Sequence, residues 1–155
     1  MKKIMPLFAF LLVLDLGIKY LVSNTMTIGE SITIIPNFFY IHYVENTGAA
    51  FSMFQSGTFF LIFISTVVLF LVFTSAMRTI NPSWSVVITY AALLAGISGN
   101  LYDRIFNGAV IDYLSFIIFN YKFPVFNLAD TFIVLAVIAL VIYEIRRKGV
   151  KEDVV

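Results

Sequence analysis

The sequence predicts an α-helical membrane protein with four transmembrane helices and a small β-rich cap on the extracytoplasmic side. Of its 155 residues, 61% are hydrophobic and 12% are charged, whereas soluble domains carry about 45–50% apolar and about 25% charged residues. The apolar residues gather in four stretches of roughly 20 residues, the length that crosses a hydrocarbon core about 30 Å thick. Four spans leave little chain for a separate unit, so we predict a single membrane domain over residues 1–155.

The four apolar stretches differ in the number of charged residues that they contain. The second and third are the clearest, because Arg78 carries the only charge between residues 57 and 102. The first contains Asp15 and Lys19, and the fourth contains Asp130. Ionisable side chains at membrane depth are costly, so they indicate function by default. We place the spans at about residues 4–22, 57–77, 83–103 and 125–144.

The first stretch has a second interpretation, as a cleaved signal peptide in which Lys2 and Lys3 precede a short apolar region. No small-residue cleavage site follows, and the apolar pattern resumes beyond Lys19 as far as Val22. We therefore expect a retained helix.

The basic residues predict the orientation of the spans. Lys2, Lys3 and Arg78 share one predicted side with the basic cluster at residues 146–151, and such a bias marks the cytoplasmic face. We expect both termini in the cytoplasm. The long loops at residues 23–56 and 105–124 then face outward.

The first outer loop is not a plain linker. Its residues 31–44 are rich in β-branched and aromatic side chains and are interrupted by Pro36, which indicates short strands. A lone two-stranded ribbon is marginally stable in water. We therefore expect this cap to rest on the membrane surface and cover the outer ends of the helices.

The ionisable residues within the spans and the second outer loop converge on one depth. At 1.5 Å per residue, Asp15 lies about 18 Å above the cytoplasmic end of the first span, and Asp130 lies about 9 Å below the outer start of the fourth. Six residues are expected in the outer half of the membrane or just above it: Asp15, Lys19, Asp103, Arg104, Asp112 and Asp130. One shared polar site is the simplest explanation.

Two kinds of residue can be separated within this set. Asp15 with Lys19, and Asp103 with Arg104, are close enough in sequence to be intrahelical ion pairs that make burial tolerable, so a structural role stays open for them. Asp112 and Asp130 have no basic residue within one helical turn. Such a carboxylate must find a partner in space or stay protonated.

Two neighbouring carboxylates share a proton, and such a dyad can hydrolyse an amide with an activated water and without a covalent intermediate. Other peptidase chemistries fit poorly, because the chain has no Cys, no His-Glu-x-x-His segment, and in His42 a single histidine. We expect no metal and no cofactor. A Ser-Lys dyad of Ser98 with Lys19 is an alternative, but Asp15 is expected to keep Lys19 charged.

Two other function classes remain as alternatives. A small proton-coupled transporter or channel would use buried carboxylates as a relay, but that requires polar groups through the whole membrane thickness. A scaffold subunit would leave Asp112 and Asp130 without a task. The net charge of +1 comes with no basic patch for nucleic acid.

A family resemblance rests on four motifs that extend over nearly the whole chain. They are, in order, Asp15-Leu16-Gly17-Ile18-Lys19, then Glu45-Asn46-Thr47-Gly48-Ala49-Ala50-Phe51, then Gly99-Asn100-Leu101-Tyr102-Asp103-Arg104 with Gly108-Ala109-Val110-Ile111-Asp112-Tyr113, and finally Phe126-Asn127-Leu128-Ala129-Asp130. With these motifs the chain resembles the lipoprotein signal peptidases (signal peptidase II), the aspartyl peptidases that remove signal peptides from bacterial prolipoproteins. Family members usually differ at three positions, with Gln at Leu16, Gly at Ser98 and Phe at Tyr113.

The resemblance implies a site and a substrate. The family's catalytic aspartates fall on Asp112 and Asp130. The substrate would be a prolipoprotein cut before a cysteine that carries diacylglycerol, by a monomer in contact with the lipids of the bacterial cell membrane. The expected substrate-binding or supporting residues are Asp15, Lys19, Asn46, Gly48, Asn100, Asp103, Arg104 and Asn127.

Overall fold

The computed structural model describes residues 1–48, 57–80 and 82–152, with side chains up to residue 145. Four long helices dominate it, and all four are long and apolar enough to cross a membrane. They are α1 (Ile4–Thr25), α2 (Thr58–Arg78), α3 (Trp84–Phe106) and α4 (Leu128–Glu152). The prediction of four transmembrane helices with a small β-rich cap is confirmed.

Helix α3 is the centre of the bundle. About 61% of its apolar window is buried, against 6–17% for the other three helices. Small residues allow this close packing, since a Cβ added at Gly96 would lie 2.5 Å from the carbonyl oxygen of Ala129 in α4. The outer end of α3 is therefore within reach of both α1 and α4.

The start of α1, the end of α2 and the start of α3 meet at one end of the bundle. Ile4, Ala76 and Val87 form a fully buried apolar cluster there. The ammonium of Lys3 also lies 5.2 Å from the ring centroid of Trp84, a cation–π contact between α1 and α3.

The cap is a four-stranded antiparallel sheet. Its strands are β1 (Ser31–Ile35), β2 (Phe39–Asn46), β3 (Val110–Ile118) and β4 (Tyr121–Lys122), in that spatial order. The strands expected within residues 31–44 are present. Asp112 lies inside β3 opposite Val44, and not in a loop as we had expected. Pairing with β2 stabilises β3. Residues near Asp112 in sequence do not predict this strand, because its partner strand lies far away in the chain.

The start of α4 also differs from the prediction. The helix begins at Leu128 and not near residue 125, because Phe126 is still paired with Leu114 of β3 through backbone hydrogen bonds of 2.7 and 3.1 Å. Asp130 therefore lies in the first turn of α4, nearer the outer end than counted from the sequence.

The close packing of α3 on α4 gives a matched pair of glycine variants. We expect Gly96→Ala to lower the melting temperature in detergent, because the new methyl group collides with the Ala129 carbonyl and with Ile133; such overpacking typically costs about 1–3 kcal/mol. Gly17→Ala has open space around its Cβ and should leave the melting temperature unchanged or raise it. Equal effects of the two variants would contradict this packing.

Candidate active site

Buried polar side chains from α1, α3, β3 and the residue before α4 form one hydrogen-bonded cluster at the outer end of the bundle. All are at most 7% exposed. The members are Asp15, Lys19, Asn100, Asp103, Asp112 and Asn127. The apolar cluster of Ile4, Ala76 and Val87 lies at the opposite end, so these polar groups do not continue across the membrane there. A proton-coupled transporter is therefore not favoured.

Lys19 joins α1 to α3. Its Nζ lies 2.9 Å from Oδ2 of Asp15 and 2.9 Å from Oδ2 of Asp103, and it donates to Oδ1 of Asn100 at 3.0 Å. An ammonium has three N–H donors and no acceptor, so all three donors are used. The ion pair of Lys19 with Asp15 is thus part of an interhelical network.

The alternative Ser-Lys dyad gains no support from this arrangement. Ser98 lines an apolar cavity of about 330 Å³ between α1, α2 and α3, together with Phe8 and Phe70. The partners of the Lys19 Nζ are Asp15, Asp103 and Asn100, and Ser98 is not among them.

The two carboxylates beside Lys19 also hold backbone groups of other elements. Oδ1 of Asp15 accepts a hydrogen bond from the N–H of Ala129 at 3.0 Å, and so satisfies a free donor in the first turn of α4. Oδ2 of Asp103 accepts from the N–H of Ile111 at 3.2 Å, at the start of β3. These contacts fix the start of α4 and the start of β3 relative to Lys19.

Asn127 and Asp130 form a reciprocal cap at the start of α4. Oδ1 of Asn127 accepts from the N–H of Asp130 at 2.9 Å, and Oδ2 of Asp130 accepts from the N–H of Asn127 at 3.3 Å. This is the capping-box arrangement, with an aspartate in the third helical position. Asp130 is therefore oriented by the helix end that carries it.

Asparagine side chains bridge the two candidate catalytic carboxylates. Oδ1 of Asp112 accepts from Nδ2 of Asn127 at 2.7 Å, and Oδ1 of Asp130 accepts from Nδ2 of Asn100 at 2.7 Å. Asn127 and Asn100 are themselves 3.1 Å apart, from Nδ2 to Oδ1. From β2, Asn46 donates to Oδ2 of Asp112 at 3.0 Å.

The orientations of these three amides follow from their other partners. Each amide oxygen accepts from a group that can only donate, so each NH₂ must face the carboxylates. The donors are the Lys19 ammonium for Asn100, the Gly48 N–H for Asn46 and the Asp130 N–H for Asn127.

Arg104 and Gly48 extend the network toward β2. Arg104 donates to the carbonyl of Gly48 at 3.1 Å and to the carbonyl of Asn100 at 3.3 Å, while the ion pair of Asp103 is with Lys19. The peptide groups on both sides of Gly48 are thereby held. Ala49, Ala50 and Phe51, which complete the second motif, lie outside the described residues.

Burial governs the electrostatics of Asp112. Together with the negative charge of Asp130, burial raises the pKa of Asp112 to about 7, although hydrogen bonds from Asn46 and Asn127 oppose the rise. Asp112 therefore holds a proton under conditions in which an ordinary aspartate is ionised.

Tyr113 adds a buried hydroxyl next to Asp112 in β3. Its ring packs against Val22 and Tyr43, and burial raises the pKa of its hydroxyl, with a smaller contribution from the charge of Asp15. The hydroxyl is therefore neutral at physiological pH and adds no further negative charge beside Asp112.

All ten predicted site residues belong to this connected network, and their individual roles stay predictions. The sequence missed two backbone donors, the N–H groups of Ile111 and Ala129. No sequence signal identifies them, because they depend on where β3 and α4 begin. The ten residues are Asp15, Lys19, Asn46, Gly48, Asn100, Asp103, Arg104, Asp112, Asn127 and Asp130.

Sequence comparisons place the chain among known proteins. A family model described as Signal peptidase (SPase) II matches residues 7–146. The lipoprotein signal peptidase of Anoxybacillus flavithermus is 38% identical over 152 residues, which cover 94% of this chain and 90% of the relative. A lipoprotein signal peptidase of Staphylococcus aureus is 31% identical over 144 residues, covering 93% of this chain and 88% of the relative.

Two solved structures of bacterial membrane enzymes share the fold. One, at 28% identity, covers 97% of this chain and 92% of its own with a TM-score of 0.89. The other, at 29% identity, covers 92% of each chain with a TM-score of 0.82. The resemblance inferred from the four motifs is confirmed. Since the matches span nearly its whole length, the chain belongs to the signal peptidase II family, a family of lipoprotein signal peptidases that are aspartic peptidases.

Proposed function

We propose that Asp112 and Asp130 are the catalytic dyad with which this chain removes signal peptides from diacylglyceryl-modified prolipoproteins. The observation that carries the proposal is the asparagine bridge, which ties a carboxylate on β3 to a carboxylate on α4 at the outer end of the bundle. The two acids come from separate elements and are linked through two hydrogen-bonded amides, and the charge of Asp130 acts on Asp112; both observations support an aspartyl dyad at this place.

The dyad works with one carboxylate ionised and the other protonated. The ionised member takes a proton from a water molecule as its oxygen attacks the scissile carbonyl carbon. The protonated member donates to the carbonyl oxygen. Reversal of these two transfers expels the amine and restores the starting protonation state. The raised pKa of Asp112 supports such a pair near neutral pH.

The supporting residues hold this pair in place. Asn46, Asn100 and Asn127 supply the N–H donors, and Lys19 with its two carboxylates connects α1 to α3. The whole network comes from one chain, so we propose that the monomer is the active unit and that residues 1–155 act as one membrane domain.

The proposed orientation puts both termini in the cytoplasm and the dyad near the extracytoplasmic face. It is supported by the basic residues Lys2, Lys3 and Arg78 at the end of the bundle opposite the polar cluster. A cysteine that carries diacylglycerol anchors the scissile bond near the outer headgroups, level with the dyad. The sheet can then cover the substrate and limit access of bulk water.

Replacing either dyad member tests the proposal. Asp112→Asn and Asp130→Asn should each lower turnover of a diacylglyceryl-modified prolipoprotein peptide by about 10²–10⁴-fold, because each removes one proton-transfer partner. Glu30→Gln makes the same acid-to-amide change at an exposed residue of the cap and should retain full turnover. Near-parental turnover of either aspartate variant, with an unchanged melting temperature, would contradict the dyad.

The pH dependence offers an independent test. The free enzyme is active while the dyad retains its single proton, and that proton is lost as the pH rises through the raised pKa of Asp112, at about 7. We expect kcat/KM to fall about tenfold per pH unit above this midpoint. A profile that is flat from pH 6 to pH 9 would show that no protonated carboxyl is needed.

Because the chain contains no cysteine, single introduced cysteines can report the orientation of the helices in the membrane. Ser31→Cys in β1 should react with a membrane-impermeant maleimide in intact cells, because the cap is proposed to face outward. Ile80→Cys, next to the end of α2, should react only after the membrane is permeabilised. The opposite pattern would invert the proposed topology.

A further inference from the structure

We propose that Lys19 is a positioning residue of the catalytic dyad: acting through the Asn100 amide, it holds Asp130 as the ionised member that accepts a proton from water and leaves Asp112 as the proton donor. The inference rests on the proposed function of Asp112 and Asp130. It assigns the roles of proton acceptor and proton donor within the dyad.

The first step is the forced direction of the Asn100 amide. Two N–H groups of Lys19 are taken by Asp15 and Asp103, and the third points to Asn100 at 3.0 Å. An ammonium cannot accept a hydrogen bond, so the amide atom that faces Lys19 must be the oxygen. Rotating the amide by 180° would bring two donors together.

The second step is the effect on Asp130. With its oxygen turned to Lys19, Asn100 can offer Asp130 only N–H, and Nδ2 lies 2.7 Å from Oδ1 of Asp130. A hydrogen bond donated to a carboxylate favours its ionised form. Lys19 therefore determines that Asp130 receives a donor at this oxygen.

The third step is the contrast between the two acids. Asp130 lies in the first turn of α4, where its other oxygen accepts a backbone N–H and the helix dipole favours negative charge. Asp112 lies on β3, is 1% exposed, and is held by the neutral amides of Asn46 and Asn127. Negative charge is better accommodated on Asp130.

The net charge around Lys19 does not explain this contrast by itself. The charge of Lys19 lowers the pKa of Asp112, and two carboxylates flank the ammonium, so a direct charge effect of Lys19 does not favour Asp112 as the protonated member. The oriented amide of Asn100 is what acts on Asp130 at contact distance. The titratable and charged groups that face the dyad are Asp15 and Lys19 from α1, Asp103 and Arg104 from α3, and Tyr113 from β3.

The reaction balances with these roles. Asp130 takes a proton from water while the water oxygen bonds to the scissile carbon, and the carbonyl electron pair moves to oxygen, which takes the proton of Asp112. In the second half the carbon–nitrogen bond breaks, Asp130 passes its proton to the departing amine, and Asp112 recovers a proton from the diol. Both acids return to their starting states.

The sharpest test changes one atom of Asn100. Asn100→Asp keeps an oxygen for Lys19 but replaces the N–H that faces Asp130 with a second oxygen. We expect the acidic limb of kcat/KM against pH to move to higher pH by at least about one unit, because Asp130 loses a donor that favours its ionised form. kcat should fall while KM changes less than twofold.

Asn24→Asp is the matched control. It makes the same change at an exposed position near the outer end of α1, where the side chain bonds to the carbonyl of Tyr20. Its pH profile should superimpose on that of the parent enzyme.

Variants of Lys19 test the origin of the effect. Lys19→Arg keeps a cation that can only donate, so it should fold and retain the parental acidic limb. Lys19→Met should shift that limb as Asn100→Asp does. Because Lys19→Met also leaves Asp15 and Asp103 unpaired, it can fail to fold. The decision then rests on Asn100→Asp and on Asn100→Leu, which removes the amide N–H without adding charge.

The outcomes separate this inference from the proposed function. An unshifted acidic limb in folded Asn100→Asp or Asn100→Leu, in an enzyme that Asp130→Asn inactivates, would overturn the role of Lys19 and leave the dyad intact. Retained turnover in Asp130→Asn would overturn the dyad itself. A shift of the acidic limb in the Asn100 variants and not in Asn24→Asp supports the positioning role of Lys19.

Discussion

The ammonium of Lys19, shared by two carboxylates and one amide oxygen, is the interaction on which the rest of the site depends. At membrane depth an unpaired charge is costly, and this arrangement uses every donor that Lys19 has. One of the carboxylates holds the start of α4 and the other holds the start of β3. The two elements that carry the proposed dyad are therefore located by a single buried cation.

The central helix makes this arrangement geometrically feasible. Gly96 allows α4 to approach α3 until backbone and side chains touch, and at Gly99 an added Cβ would collide with the carboxylate of Asp15. Small residues on α3 therefore bring Asp15 and Asn100 to the same place. Packing in the apolar half of the bundle and polar contacts in the outer half result from the same close helix spacing.

The sequence was sufficient for the four helices and for the convergence of the charged residues at one end of the bundle, because apolar length and helical rise are local properties. It also separated Asp112 and Asp130 as the acids without a nearby base. It was not sufficient for β3, whose pairing with β2 spans more than 60 residues. The start of α4 was placed three residues too early, because the backbone pairing of Phe126 with Leu114 is a tertiary contact.

The capping box at Asn127 and Asp130 makes the integrity of one helix turn a condition for hydrolysis. Fraying of this turn would release Asp130 from its place beside Asn100. A chain in which this turn has not formed then cannot activate the attacking water molecule. Formation of the first turn of α4 and assembly of the proposed catalytic pair would therefore be a single event.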